Sequence, residues 1–85
     1  MKVLVQEKEG EGLVAHLGKN VTLFCDTYIY TGKLVGVNET CVKLESAAIV
    51  YETGAFSSKG WKDAQELPNN WYVQVNRIES FGILK

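Results

Sequence analysis

The side chains in this sequence that could do chemistry are few and far apart. The only histidine, His16, has no nucleophile and no carboxylate pair beside it, and acid–base catalysis needs such partners within hydrogen-bond reach. It reads as a surface or packing histidine. Cys25 and Cys41 are sixteen positions apart, form no Cys-x-x-Cys pair and have no other candidate ligands next to them. They read as buried free thiols of a reducing compartment, not as a disulfide or a metal site. Neither Gly10-Glu11-Gly12 nor the pair Gly32 and Gly36 opens a long helix, so neither makes a phosphate-binding loop. The chain is therefore expected to be non-enzymatic, with no catalytic residue, no cofactor and no metal. Tyr28, Tyr30 and Tyr51 can form an aromatic surface for stacking, although strand alternation assigns Tyr30 to the core.

The elements that must position these groups fit one small domain spanning residues 1–85. A chain of 85 residues buries a modest fraction of its surface, so its core has to be completed by good barrel closure or by oligomerisation. Nine Lys and Arg stand against ten Asp and Glu, which removes the broad electrostatic footprint of a nucleic-acid binder and leaves only a local site. The opening Met1-Lys2-Val3-Leu4-Val5-Gln6 is too short an apolar run for a secretory signal, and no segment is long enough to span a bilayer. A cytoplasmic protein without a membrane partner is the expectation.

Residues 1–12 read as an N-terminal extension: Lys2 to Gln6 alternates weakly, and Glu7-Lys8-Glu9-Gly10-Glu11-Gly12 is a charged hinge. Leu13-Val14-Ala15-His16-Leu17, with Gly18 behind it as a cap, predicts a short amphipathic helix that has to pack on the rest. Alternating apolar residues then predict five strands: Val21–Asp26, Tyr28–Val37, Cys41–Glu52, Trp71–Asn76, and a short last one marked by Phe81, Ile83 and Leu84. Gly32 and Gly36 lie on one side of the second strand with Leu34 between them, so that strand can curve sharply toward its bare side, as small barrels require. Asn38-Glu39-Thr40 supplies the turn that follows. Ser46-Ala47-Ala48 offers small residues where the third strand can bend. Residues 53–70 form a variable loop that is turn-rich yet holds Phe56, Trp61 and Leu67, which either pack on the domain or its neighbour or touch an external partner. Within it, Asp63-Ala64-Gln65-Glu66-Leu67 suits a helical turn ended by Pro68.

Tyr30, Gly32, Leu34, Gly36, Asn38, Val42 and Leu44 together resemble the first motif of the Sm and Sm-like proteins, the family that includes bacterial Hfq. In that family a hydrophobic residue precedes G-x-L-x-G-x-N/D, and a V-x-L return strand follows. The resemblance implies a mainly β fold, with a short N-terminal helix and then a five-stranded, strongly bent antiparallel small barrel of SH3-like type. It also implies self-association. The fourth strand of one subunit pairs with the fifth of the next, and repeating that contact closes a homo-oligomeric ring. Tyr72, Val73 and Val75 on one edge and Phe81 and Ile83 on the other are β-favouring and free of proline, and are the expected interface.

The same resemblance implies binding of single-stranded RNA through the turns after the second and fourth strands, where a splayed base is stacked and its edge read. Here those places are Asn38, Glu39 and Thr40, and Asn76 and Arg77. Arg77 is the best single candidate for phosphate or base contact, its alternative being a pairing with Glu79 or Glu39; Asn38 can equally cap its own turn. The chain also departs from the family. Thr40, Cys41 and Val42 stand where eukaryotic and archaeal members have an aromatic or His, then Met, then Asn. Asn76-Arg77-Ile78 lacks the glycine that follows the arginine of their second motif, and Val75-Asn76 replaces the Lys-His of Hfq. The rival expectation is thus a structural or protein-interaction ring that has lost the RNA slot, with the Phe56, Trp61 and Leu67 loop holding an unidentified protein.

Overall fold

The computed structural model describes residues 3–6 and 10–85. Six strands form one antiparallel sheet: β1 (Asn20–Cys25), β2 (Ile29–Val37), β3 (Cys41–Glu52), β4 (Asp63–Glu66), β5 (Trp71–Gln74) and β6 (Ile78–Gly82). The order across the sheet is β4-β3-β2-β1-β6, and β5 pairs with β3 beside β4. β3 is the spine. Its whole length pairs with β2, while its outer edge is shared, with Cys41–Leu44 facing β5 and Ala48–Glu52 facing β4. The sheet does not close on itself. Among the described residues, β6 at one end and β4 with β5 at the other have no further strand partner.

The curvature comes from small residues placed opposite one another. The β2–β3 register shifts between Thr31 and Lys33 and again between Leu34 and Gly36, next to the two glycines. Across from Gly32, β3 kinks at Ser46, which sits in the left-handed region at φ 53°. A Cβ on Gly32 would lie 3.0 Å from the Ala47 Cα and 3.2 Å from the Glu45 carbonyl oxygen, closer than packed atoms tolerate, so the two backbones touch only because that side chain is missing. The bend wraps the sheet around Val21, Leu23, Leu34, Val42, Leu44, Ala47 and Val73. Leu23, Leu34 and Leu44 are completely buried, and each such side chain is worth about 2 kcal/mol in transfer free energy.

Several expectations are corrected. Among the described residues the expected amphipathic α-helix is not formed: Val14–His16 makes one 3₁₀ turn and Leu17 already has an extended ψ of 133°. Five residues cannot offset the cost of helix nucleation; the His16 imidazole instead donates from Nδ1 to the Gly12 carbonyl at 2.6 Å. Gly18 keeps its expected left-handed φ of 86° and donates its N–H to the Leu34 carbonyl at 2.7 Å. The 53–70 segment holds an extra strand, because Asp63–Glu66 is β4 and not a helical turn. Its Ala, Gln and Glu favour helix locally, but the unpaired outer edge of β3 needs backbone partners and takes them from this segment. Leu67 extends that ladder, its N–H donating to the Ala47 carbonyl at 2.8 Å, and Pro68 ends it at the bend. The Trp71–Asn76 strand stops at Gln74, where a 3₁₀ turn over Val75–Arg77 begins, and the last strand starts at Ile78 and ends at Gly82, leaving Ile83 and Leu84 beyond it. The weakly alternating Lys2–Gln6 segment joins no strand over Val3–Gln6, with Lys2 and the Glu7–Glu9 part of the hinge lying outside the described residues. Among the described residues no helix is long and apolar enough to cross a membrane.

Candidate functional site

The two turns expected to work together are adjacent. The Val75 N–H donates to the Thr40 carbonyl at 2.9 Å, which continues the β3–β5 ladder by one step and sets the Val75–Arg77 turn against Asn38–Thr40. Within the first turn the Asn38 side-chain oxygen is fully engaged. Its Oδ1 accepts from the Thr40 N–H at 2.8 Å, the Cys41 N–H at 2.8 Å and the Thr40 hydroxyl at 3.1 Å. That is an Asx turn, the standard use of asparagine between strands. Asn38 therefore caps its own turn, and the Thr40 hydroxyl and carbonyl are also engaged. Glu39 and Asn76 are exposed beside them.

Arg77 points elsewhere. Its guanidinium donates to the Asp26 carboxylate at 2.7 Å, and the Asp26 N–H donates to the Arg77 carbonyl at 3.2 Å. The partners expected from sequence, Glu79 and Glu39, are not the ones found. The β1–β6 register sets the end of β1 opposite the start of β6, and Asp26 is the carboxylate that this pairing delivers. The hydrogen bond from Arg77 holds the Asp26 carboxyl below its ordinary range, because the ionised form is the one that accepts it. Both side chains are largely exposed, so the pair fixes geometry more than it stabilises the fold.

That ion pair forms part of a cavity of about 380 Å³ lined by Cys25, Asp26, Thr27, Tyr28, Tyr30, Tyr72, Val73, Gln74 and Arg77. It lies between the β1–β2 turn and β5. The tyrosines expected to cluster do so: Tyr28 meets Tyr30 edge-to-face at 6.3 Å and Tyr51 at 6.4 Å, a preferred aromatic geometry. Tyr30 also leans on the core, and burial pushes its hydroxyl pKa up. Tyr72 adds a ring from β5, with Lys43 Nζ 5.9 Å from its centroid. The Cys25 thiol is raised by burial first and then by the charges of Asp26 and Glu79, which disfavours the nucleophilic thiolate. Both cysteines are free and half-buried. Asp26 and Gln74 were invisible as site residues in the sequence, since neither sits in a motif and only strand pairing brings them beside Arg77.

The expected interface residues divide. Val73 is buried in the core and Val75 is partly buried against it. Tyr72, Phe81 and Ile83 are exposed, and Phe81 packs edge-to-face on His16 at 5.8 Å. The bond from Val75 to Thr40 fixes the alternation along β5, which places the backbone N–H and C=O of Tyr72 and Gln74 on the outer edge. The loop residues divide too. Leu67 packs on the core. Trp61 is half-buried under Lys85, whose Nζ lies 4.7 Å from the indole centroid and donates to the carbonyls of Thr53, Ala55 and Gly60 at 2.6, 3.0 and 2.7 Å. Only Phe56 projects, 58% exposed. No protein-family model and no curated protein sequence matches this chain.

Proposed function

We propose that the protein is an Sm-like subunit that assembles into a homo-oligomeric ring by edge-to-edge strand addition and binds single-stranded RNA without catalysing a reaction. The single observation that carries this reading is the open sheet. A strongly bent antiparallel sheet ends in β6 on one side and in β4 and β5 on the other, and the outer edge of β5 offers paired donors and acceptors at Tyr72 and Gln74. Unsatisfied strand edges are templates for another chain, and joining two different edges of identical subunits gives a heterologous contact that closes into a ring. The glycine-dependent bend between β2 and β3 and the juxtaposed turns at residues 38–40 and 75–77 support the same reading. RNA binding draws its support from the aromatic rings and the guanidinium gathered in the cavity between the β1–β2 turn and β5.

The test is a titration of labelled oligo-A and oligo-U against the purified protein at two salt concentrations, with native mass measured in parallel. Binding in the micromolar range or tighter at low salt, by a particle of several subunits, is the expected result. A monomer by native mass rejects the ring, and absence of binding at low salt, where phosphate contacts are strongest, rejects RNA as the ligand. The engaged Asn38 and the neutralised Arg77 favour a second reading, a ring that serves as a structural or protein-binding scaffold. Under it, oligonucleotides fail to bind while Phe56→Ala loses a protein partner.

A further inference from the structure

Resting on the RNA-binding reading above, we propose that the base is held not in the Asn38–Thr40 turn but in the tyrosine-lined cavity, its ring against Tyr28 and Tyr72 and its polar edge on Asp26 and Arg77.

The oxygens of Asn38 and Thr40 have little left to offer a ligand, since the acceptor of Asn38 takes three donors and the Thr40 carbonyl takes Val75. The cavity has the opposite character. Tyr28 and Tyr72 are 45% and 60% exposed, and every base has a π face that such rings accept. At the polar end, one Asp26 oxygen takes Arg77 at 2.7 Å and the other takes only the Thr27 hydroxyl at 3.4 Å. A carboxylate accepts about four hydrogen bonds and a guanidinium donates five, so both keep capacity toward the cavity. Their charges cancel, so the site has little pull on a phosphate and selects instead a neutral edge with a donor beside an acceptor. Every base provides that edge: an amino group or, in uracil, the ring N–H donates to Asp26 while a neighbouring ring nitrogen or carbonyl accepts from Arg77. Gln74, on the same wall, adds an amide for the edge.

The experiment measures the anisotropy of equal-length labelled oligo-A and oligo-U with the wild-type protein and with Tyr28→Ala, Tyr72→Ala, Tyr28→Phe, Tyr72→Phe, Asp26→Asn and Glu39→Ala, alongside circular dichroism and native mass. Both oligonucleotides are expected to bind. Each Tyr→Ala change weakens them about five-fold or more, each Tyr→Phe change retains binding, and Asp26→Asn weakens both by replacing one acceptor of the carboxylate with a donor. If the Tyr→Ala variants bind as wild type does while Glu39→Ala loses affinity, the base sits in the turns, and this inference fails while the RNA-binding reading survives. If the tyrosine variants change subunit number but not affinity per subunit, the cavity is a subunit contact and the inference fails. If the wild type binds neither oligonucleotide, both fail together. Loss of binding in Tyr→Phe variants with native circular dichroism also overturns it, because the rings are then present and insufficient.

Discussion

At the scale of single residues, a side chain that looked like a ligand-binding group does structural work. Asn38 supplies one oxygen to three donors, so Asn38→Ala orphans the Thr40 and Cys41 amides at a cost of about 1 kcal/mol or somewhat more. Asn38→Asp keeps the acceptor and is expected to unfold close to wild type; urea titration of both variants checks the contrast. Asp26 makes a pH prediction. Its carboxyl is depressed in the folded state by Arg77, so its contribution is in place above the ordinary carboxylate range and is lost as pH falls through the lowered folded-state value. Wild type is therefore expected to exceed Asp26→Asn at neutral pH, with the two converging in strong acid. The gap narrows with added salt because the pair is exposed, and thermal melts across an acid series at two salt concentrations measure it.

At the scale of elements, the β2–β3 hairpin depends on a missing atom. Gly32→Ala drives a Cβ into the Ala47 Cα and the Glu45 carbonyl, both backbone atoms that move only if the bend opens. The expected loss is about 1–3 kcal/mol, whereas Gly36→Ala meets only the Lys43 Cβ at 3.4 Å and is expected to cost less than half as much. Chemical denaturation of the two variants ranks them, and equal midpoints refute the steric account of the curvature. The extra strand β4 belongs to this scale as well. Its sequence leans toward helix, but a half-empty β3 edge with buried neighbours outweighs a propensity of a few tenths of a kcal/mol per residue. Residues 53–62 are then held by the Lys85 ammonium, from far along the chain, over Trp61, and by the local Lys62–Glu52 ion pair at 3.3 Å.

At the scale of the whole molecule, the proposed ring follows from edges that the subunit leaves open, and β5 allows a selective test. Gln74 has φ −70°, close to the value that proline imposes, and its N–H faces away from β3. Gln74→Pro is thus expected to leave the subunit folded while deleting one donor that a neighbour's strand needs. Native mass and analytical ultracentrifugation should show a shift toward smaller species with unchanged circular dichroism. An unaltered oligomer would mean that β5 is not the joining edge.

The local steps of the fold were legible in the amino-acid sequence, because each is fixed by neighbours a few positions apart. Alternation marked β1, β2 and β3, the spacing of Gly32 and Gly36 marked the bend, and Asn38 marked the turn with its bonding already implied. What the chain does at long range was not legible. That Arg77 chooses Asp26 over two nearer or equally plausible glutamates, that Asp63–Glu66 becomes a strand, that Val73 turns inward while Tyr72 turns toward the tyrosines, and that Lys85 covers Trp61 all depend on which strands lie side by side. Strand pairing over fifty residues is settled by burial and by the need of every backbone donor for an acceptor, and those demands are met only when the sheet is complete.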